Sequence, residues 1–194
     1  MHKGRLEAFS DGVLAIIITI MVLELRAPQH AEHFNDLRPL LPVLLSYVLS
    51  FVYVGIYWNN HHHMLQATQH ISGAVLWANL HLLFWLSLVP FVTGWLGENA
   101  FTAAPAALYG CVLLMAAIAY VILQFTILQV PGGNAVLSRA VGSDFKGRTS
   151  IVLYLIAIGT SFYRPRIGCG IYVLVALVWL VPDRRIEKVV GSSI

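Results

Sequence analysis

The sequence has few charged residues, and this scarcity limits the class of protein. Only 11% of its 194 residues are Asp, Glu, Lys or Arg, against about 25% in a typical soluble domain. Hydrophobic residues make up 58%, more than a soluble fold of this length could bury. The composition therefore predicts a membrane protein. The net charge is only +3, and the cations are scattered near segment ends, so nucleic acid is not an expected partner.

Cysteine is scarce as well, and both copies lie within apolar segments. Cys111 and Cys169 read as small buried hydrophobic residues, so neither a disulfide framework nor a Cys-rich metal centre is expected.

No small-residue cleavage site follows the first apolar run, so the first helix is expected to stay in the mature protein. Internal repeats and low-complexity tracts are not evident. We therefore expect residues 1–194 to form a single transmembrane domain.

The apolar runs predict six membrane-spanning helices. The last two are short and are joined by the polar turn "RPR", which suggests a helix pair with arginines reaching the membrane interface. The longest connection, 131–148, is predicted to be a loop. The six predicted spans are 5–25, 39–63, 71–96, 105–130, 149–163 and 167–182.

Counting Lys and Arg between the spans predicts the orientation. With both termini in the cytoplasm, the inner side carries eight cations and the outer side four, as the positive-inside rule favours. The inner set is Lys3, Arg5, Arg139, Lys146, Arg148, Arg184, Arg185 and Lys188, and the outer set is Arg26, Arg38, Arg164 and Arg166. The count therefore predicts that both the N-terminus and the C-terminus lie in the cytoplasm.

A carboxylate opens the first span, "RLEAFSDGVLAIIITIMVLEL". Asp11 directly precedes an uncharged run, and a charge at a helix centre in hydrocarbon costs about 2.5–3.5 kcal/mol. It must face protein, pair with a polar group or lie at headgroup level. Two interpretations of Asp11 remain open: an interfacial residue at headgroup level, or a buried anchor that holds the first helix to its neighbours. The candidate partners at similar depth are Asn59, Asn60, His61, His62, His63, Asn79 and His81.

The three consecutive histidines at 61–63 raise the question of a metal or haem site. Successive residues of a helix point about 100° apart, so the three rings cannot face one ion on a regular helix. A metal-binding pattern such as H-E-x-x-H is absent from the sequence. We therefore expect no metal and no cofactor, and a structural role for the histidines.

The start of the first span resembles the R-x-x-x-F-S-D signature of the endosomal/lysosomal potassium channel family, transmembrane protein 175, and its bacterial homologues. Arg5, Phe9, Ser10 and Asp11 match it, and "YWNNHHHM" and "LWANLHLLFWLSLVPF" also resemble bacterial members. The resemblance covers essentially the whole chain. It implies an all-α, non-enzymatic potassium channel with six helices per subunit, in which four first helices line the central pore of a homotetramer.

The same resemblance implies that the Phe-Ser-Asp motif holds the first helix through residues of the second and third spans. The positions that match this role are Trp58, His61, His62, Trp77 and Asn79.

If the first helix lines a pore, Ile16, Ile20 and Leu23 share a face with Gly12, and Thr19 lies beside them. Without the family, this stripe would be interpreted as a lipid-facing or core face. With it, Ile16 matches the hydrophobic constriction, whereas Ile17 points about 100° away. No T-V-G-Y-G carbonyl filter is present. An apolar collar cannot replace the water around an ion, which disfavours Na⁺ more than K⁺ and predicts modest potassium selectivity.

Two other functions remain open on the sequence. The same apolar pore could conduct protons through a transient file of water. The histidines could instead serve a metal- or haem-binding membrane protein. Potassium ions, the lipid bilayer and further copies of the chain are the partners that the main interpretation implies.

Overall fold

Apolar segments of this length fold into helices because a bilayer offers no water to backbone N–H and C=O groups. The computed structural model describes residues 3–28, 32–66, 68, 70–130 and 145–180, and these residues form helices and no strand. The predicted all-α fold class is confirmed. The helices are α1 (Lys3–Leu23), the 3₁₀ helix η1 (Phe34–Leu40), α2 (Leu41–Gln66), α3 (Gly73–Ser87), α4 (Val89–Glu98), α5 (Ala103–Leu128), α6 (Phe145–Ser161) and α7 (Pro165–Leu180).

The helical segments correspond to the six predicted spans, with ends shifted by a few residues. Four segments are long and apolar enough to cross a membrane, namely Lys3–Leu23, Phe34–Gln66, Gly73–Glu98 and Ala103–Leu128. The last two helices, of 17 and 16 residues, are about 25 Å long, somewhat less than the roughly 30 Å hydrocarbon core. Positions 181–182 of the sixth predicted span and 131–144 of the predicted loop lie outside the described residues, as do Arg139, Arg184, Arg185 and Lys188.

The third predicted span is not one continuous helix. α3 ends at Ser87 and α4 begins at Val89, with Leu88 between them. Pro90 lies in the first turn of α4, where its missing N–H costs no hydrogen bond, but inside a longer helix it would remove one. The third predicted span, 71–96, is therefore one membrane-crossing segment, Gly73–Glu98, built of two helices in series.

The helices pack around one hydrophobic core. One face of α1 packs against α2, α3 and α4, and α5 contacts α3, α4, α6 and α7. Near α5, four buried tyrosines cluster with ring centroids 5.6–6.4 Å apart, at positions Tyr53, Tyr109, Tyr154 and Tyr172. The Tyr53 hydroxyl donates to the Tyr172 carbonyl at 2.6 Å, and the Tyr172 hydroxyl donates to the Ala106 carbonyl at 3.0 Å. These bonds satisfy polar groups that would otherwise be costly in an apolar interior.

Gly97 allows α4 to approach α2 closely. A Cβ at this position would lie 2.7 Å from the Cα atom of Val43 and 2.5 Å from the Ser46 Oγ. We expect Gly97→Ala to separate the two helices and to lower stability by about 1–3 kcal/mol, the usual cost of overpacking. Thermal unfolding of the detergent-solubilised protein measures the loss. Gly55→Ala is the matched control, since its Cβ would meet nothing within 4 Å, and an equal loss in both variants would contradict the close-approach argument.

Candidate pore helix and its anchors

α1 has one buried face and one exposed face. The buried residues recur every three or four positions, as expected for one side of a helix, and are Leu6, Ser10, Leu14, Ile17 and Met21. All five are at most 3% exposed. This face fixes α1 against the rest of the subunit and leaves the opposite face largely exposed.

The exposed face is apolar and includes the predicted pore residues. Ile16 is 57% exposed, Ile20 44% and Leu23 71%, whereas the neighbouring Ile17 is 3% exposed. Thr19 is also exposed, and its hydroxyl donates to the Ile16 carbonyl at 2.9 Å. Because the Thr19 hydroxyl proton is used in that bond, the Thr19 oxygen can only accept hydrogen bonds from other groups. The stripe that the sequence predicts to share one face does so and is uncovered in the subunit.

A buried polar chain links α1 to α3 and α2. The Asn79 Nδ2 donates to the Ser10 Oγ at 2.9 Å, and the Asn79 Oδ1 lies 2.7 Å from the His61 Nε2. The Ser10 hydroxyl donates to the Leu6 carbonyl at 2.9 Å. Since the Asn79 oxygen can only accept, the His61 Nε2 must carry the proton in this bond. Ser10, Asn79 and His61 are all at most 2% exposed, so each depends on the others for its hydrogen bonds.

A second link, closer to the surface, holds the neighbouring carboxylate. The Trp58 Nε1 donates to the Asp11 Oδ1 at 3.0 Å, and Asp11 is only partly buried. The His62 ring stacks on Trp58 with centroids 6.0 Å apart and planes 24° apart. The expectation that Asp11 pairs with Asn or His across the helices is therefore corrected. Ser10, one position earlier on the wheel, faces Asn79, and Asp11 faces Trp58.

Trp58→Phe tests this second link because it removes the N–H and retains most of the ring. We expect a modest loss of about 0.5–1.5 kcal/mol, since the freed Asp11 carboxylate is partly exposed and can bond to water or headgroups. Thermal unfolding in detergent measures it. Trp85→Phe is a suitable control, because the Trp85 Nε1 donates at 3.0 Å to His81 one turn earlier in its own helix. If Trp85→Phe lowered the stability more than Trp58→Phe, the Asp11–Trp58 link between α1 and α2 would contribute less than a bond within one helix.

The remaining candidates do not reach the motif within the subunit. Trp77 is 76% exposed and points about 200° around α3 from Asn79. Arg5 is exposed, and Phe9 is 50% exposed on the same face as Ile16. His63 stands edge-on to the His62 ring, and its buried Nδ1 has no hydrogen-bond partner among the described residues. In the part of the chain that the structure describes, no three His, Cys, Asp or Glu side chains are grouped to hold a metal ion.

One further anchor is not evident from the sequence pattern. The Lys3 Nζ donates to the Gln66 carbonyl at 2.8 Å and lies 3.8 Å from the Glu7 Oε1. The first bond occupies a free carbonyl in the last turn of α2, a common use of lysine at helix ends. Its i, i+4 spacing from Glu7 was visible in the sequence, but the contact with Gln66 depends on how α1 and α2 pack.

A profile of the family "Endosomal/lysosomal potassium channel TMEM175" matches residues 5–90. A potassium channel of Chryseobacterium sp. (strain P1-3) is 57% identical over 188 residues, which cover 97% of each chain. The crystal structure of a lysosomal potassium-selective channel TMEM175 homolog from Chamaesiphon minutus superposes with a TM-score of 0.80 at 30% identity, covering 93% of this chain and 97% of that one.

A vertebrate protein also matches over a shorter stretch. The endosomal/lysosomal proton channel TMEM175 of Gallus gallus is 30% identical over 128 residues, which is 58% of this chain and 25% of that protein. The similarity to the bacterial channels therefore spans nearly whole chains, whereas the similarity to the vertebrate channel spans part of each.

Proposed function

The chain belongs to the TMEM175 family of ion channels, and from this premise we propose that it is a potassium-permeable channel of the bacterial inner membrane. Residues 1–194 form one channel domain with both termini in the cytoplasm. It has no enzymatic activity, and its partners are potassium ions, the lipid bilayer and three further copies of itself. The bacterial relative named a potassium channel, which shares 57% identity over nearly its full length, supports this substrate.

The exposed apolar face of α1 carries the proposal. A helix whose other face is packed against three neighbours presents Ile16, Ile20 and Leu23 to the outside of the subunit. In a homotetramer, four such faces meet around an axis and enclose a narrow pore. The buried Ser10–Asn79–His61 chain and the Asp11–Trp58 bond fix the rotation of α1, so the pore face is set by the subunit core.

The apolar pore provides a gate and a weak filter. A ring of four Ile16 side chains forms a hydrophobic constriction that closes by dewetting when it narrows. An ion that crosses it sheds or distorts part of its water shell, which costs Na⁺ more than K⁺. The Thr19 hydroxyl oxygen, one turn away, supplies the polar atom nearest to the constriction on that face. Modest potassium selectivity follows.

Ion flux across liposome membranes tests which ion the protein conducts. Protein reconstituted in vesicles with an outward potassium gradient should carry K⁺ faster than Na⁺ and should set a membrane potential near that for K⁺. The Ile16→Asn variant in the same vesicles identifies the pathway, because flux through a contaminant would not respond to it. Equal K⁺ and Na⁺ permeability in the wild-type protein would refute the selectivity, and no flux in intact tetramers would refute the channel.

Proton conduction is the second candidate, favoured by the vertebrate relative that is named a proton channel. The same α1 face would hold a transient file of water past Ile16. Reversal potentials measured under opposed pH and K⁺ gradients separate the two, since each ion drives the potential in its own direction. The histidine-based metal or haem alternative is tested by metal analysis and absorbance of tag-free protein, where one transition metal per chain lost in His62→Ala would support it.

A further inference from the structure

A narrow crevice lies between α2, α5 and the α6–α7 pair. Counted out to its open mouth it holds about 430 Å³, and its enclosed part about 30 Å³. The described residues that line it belong to these four helices and not to α1, so the crevice is separate from the proposed pore. The lining residues that matter here are Tyr53, Tyr57, Asn60, Val121, Tyr154 and Trp179.

One buried hydroxyl in this crevice has no protein partner. Tyr57 is only 9% exposed, and its ring meets the Tyr120 ring edge to face with centroids 6.2 Å apart. Among the residues that the structure describes, none forms a hydrogen bond with the Tyr57 hydroxyl. The nearby Tyr53 hydroxyl, by contrast, donates to the Tyr172 carbonyl at 2.6 Å. Because a buried hydroxyl without a partner is costly, Tyr57 requires an acceptor from outside this part of the chain.

The width of the crevice limits what can reach Tyr57. A benzene ring occupies an apolar cavity of about 150 Å³, whereas the enclosed part of the crevice has a volume of about 30 Å³. A ring therefore does not fit there, and a linear hydrocarbon chain or a water molecule does. The walls are mostly apolar and aromatic, as at Val121 and Tyr120, and such walls favour methylene groups over water.

The two ends of the crevice indicate the depth of Tyr57 in the membrane. Tyr53 and Tyr154 close one end, with ring centroids 6.4 Å apart. Toward the other end lies Trp179, the last residue but one of α7, and tryptophan at a helix end is typical of the boundary between hydrocarbon and headgroups. Asn60 lies toward the same end, about 4.5 Å along α2 from Tyr57. The Tyr57 hydroxyl is therefore close to the boundary at which ester groups join the acyl chains of a glycerolipid to its headgroup.

We infer that the crevice holds one acyl chain of a membrane glycerolipid, whose ester carbonyl accepts a hydrogen bond from the Tyr57 hydroxyl. The chain runs past Val121 toward the Tyr53–Tyr154 pair. The carbonyl supplies the acceptor that the described residues lack, and the chain is thin enough for the enclosed part. None of the described residues that line the crevice is charged, so the site selects the ester group and not the charge of the headgroup. It does not depend on which ion the protein conducts.

Competition between ester-linked and ether-linked lipids tests the hydrogen bond, because an ether has no carbonyl to accept it. Protein is reconstituted in equal amounts of diester and diether phosphatidylcholine with the same chains and extracted into mild detergent. Native mass spectrometry then counts the retained lipids. We expect about two- to tenfold more diester than diether lipid, the ratio that one neutral hydrogen bond supports.

Two tyrosine variants show whether Tyr57 is the donor. Tyr57→Phe should retain both lipids equally. Its unfolding temperature in detergent should match that of the wild-type protein, because the hydroxyl that it removes has no partner among the described residues. Tyr163→Phe is the matched control, since Tyr163 is 86% exposed and is not part of the lining, and it should keep the preference for the diester lipid.

A second pair of variants tests the location. Val121→Trp, which fills the crevice, should lower the retention of both lipids several-fold. Ile122→Trp should leave it unchanged, because Ile122 is 40% exposed and is not part of the lining. If Val121→Trp does not fold, Tyr57→Phe still decides. Equal retention of both lipids by the wild-type protein, as expected if only water meets the hydroxyl, would overturn the proposal. An ester preference that survives in Tyr57→Phe, or unchanged retention in folded Val121→Trp, would overturn it as well.

Discussion

Replacing Ile16 with asparagine should raise conductance and lower the K⁺/Na⁺ permeability ratio several-fold. Four amides in place of four isoleucines would hydrate the collar, which removes the dewetting barrier of the proposed constriction. Amide oxygens can also replace the water that an ion must shed. The free-energy cost of dehydration should therefore fall more for Na⁺ than for K⁺. Ion flux into liposomes under K⁺ and Na⁺ gradients, with tetramer content checked, measures both changes.

The control for this substitution must be exposed but off the pore face. Ile17 is unsuitable, because it is 3% exposed and belongs to the core face of α1, so an amide there would destabilise the subunit. Val22 is 45% exposed and lies about 120° around the helix from Ile16. Val22→Asn should keep the wild-type permeability ratio. If Val22→Asn lost selectivity and Ile16→Asn kept it, the assigned pore face would have to be rotated.

Periodicity predicted the two faces of α1 well because both follow from local geometry. Residues at i, i+4 and i+7 share a face of any helix, so the common direction of Ile16, Ile20 and Leu23 needs no knowledge of neighbours. Which face packs inward was not contained in that spacing, since the stripe also suits a lipid-facing or core position. The buried Ser10 on the opposite side shows the direction in the subunit.

Partners across helices were predicted less well because they depend on long-range packing. Asp11 was the charged and therefore conspicuous residue, yet Ser10 makes the buried bond to Asn79. The two side chains point about 100° apart, and the crossing of α1 over α3 decides which of them turns inward. The contacts of Trp77 were equally hard to predict. The sequence around it resembles the family, but its side chain is 76% exposed in the subunit.

Asn79→Ala should be the most damaging single substitution among the anchors of α1. Asn79 bonds both Ser10 and His61, all three of which are buried. Removing its amide leaves the His61 N–H without an acceptor and the Ser10 oxygen without a donor, at about 1–3 kcal/mol for each buried group. The packing of α1 against α2, α3 and α4 would loosen, and four copies would hold a common pore face less firmly. We therefore expect a lower unfolding temperature and loss of the tetramer.

Comparing Asn79→Ala with Asp11→Ala shows whether the buried Ser10–Asn79–His61 chain or the Asp11–Trp58 bond stabilises α1 more. The Asp11→Ala substitution frees only the Trp58 N–H, on a side chain that is 45% exposed and can find water or a headgroup, so its cost should be about 1 kcal/mol or less.

Ser10→Ala in the Asn79→Ala background should cost little more than Asn79→Ala alone, because the shared bond is already gone. Non-additivity of this kind identifies residues in one network. Thermal unfolding and tetramer content in detergent supply both readings. Should Asp11→Ala prove the more damaging, or should the Ser10 and Asn79 effects add in full, the buried chain would not be what holds α1 in place.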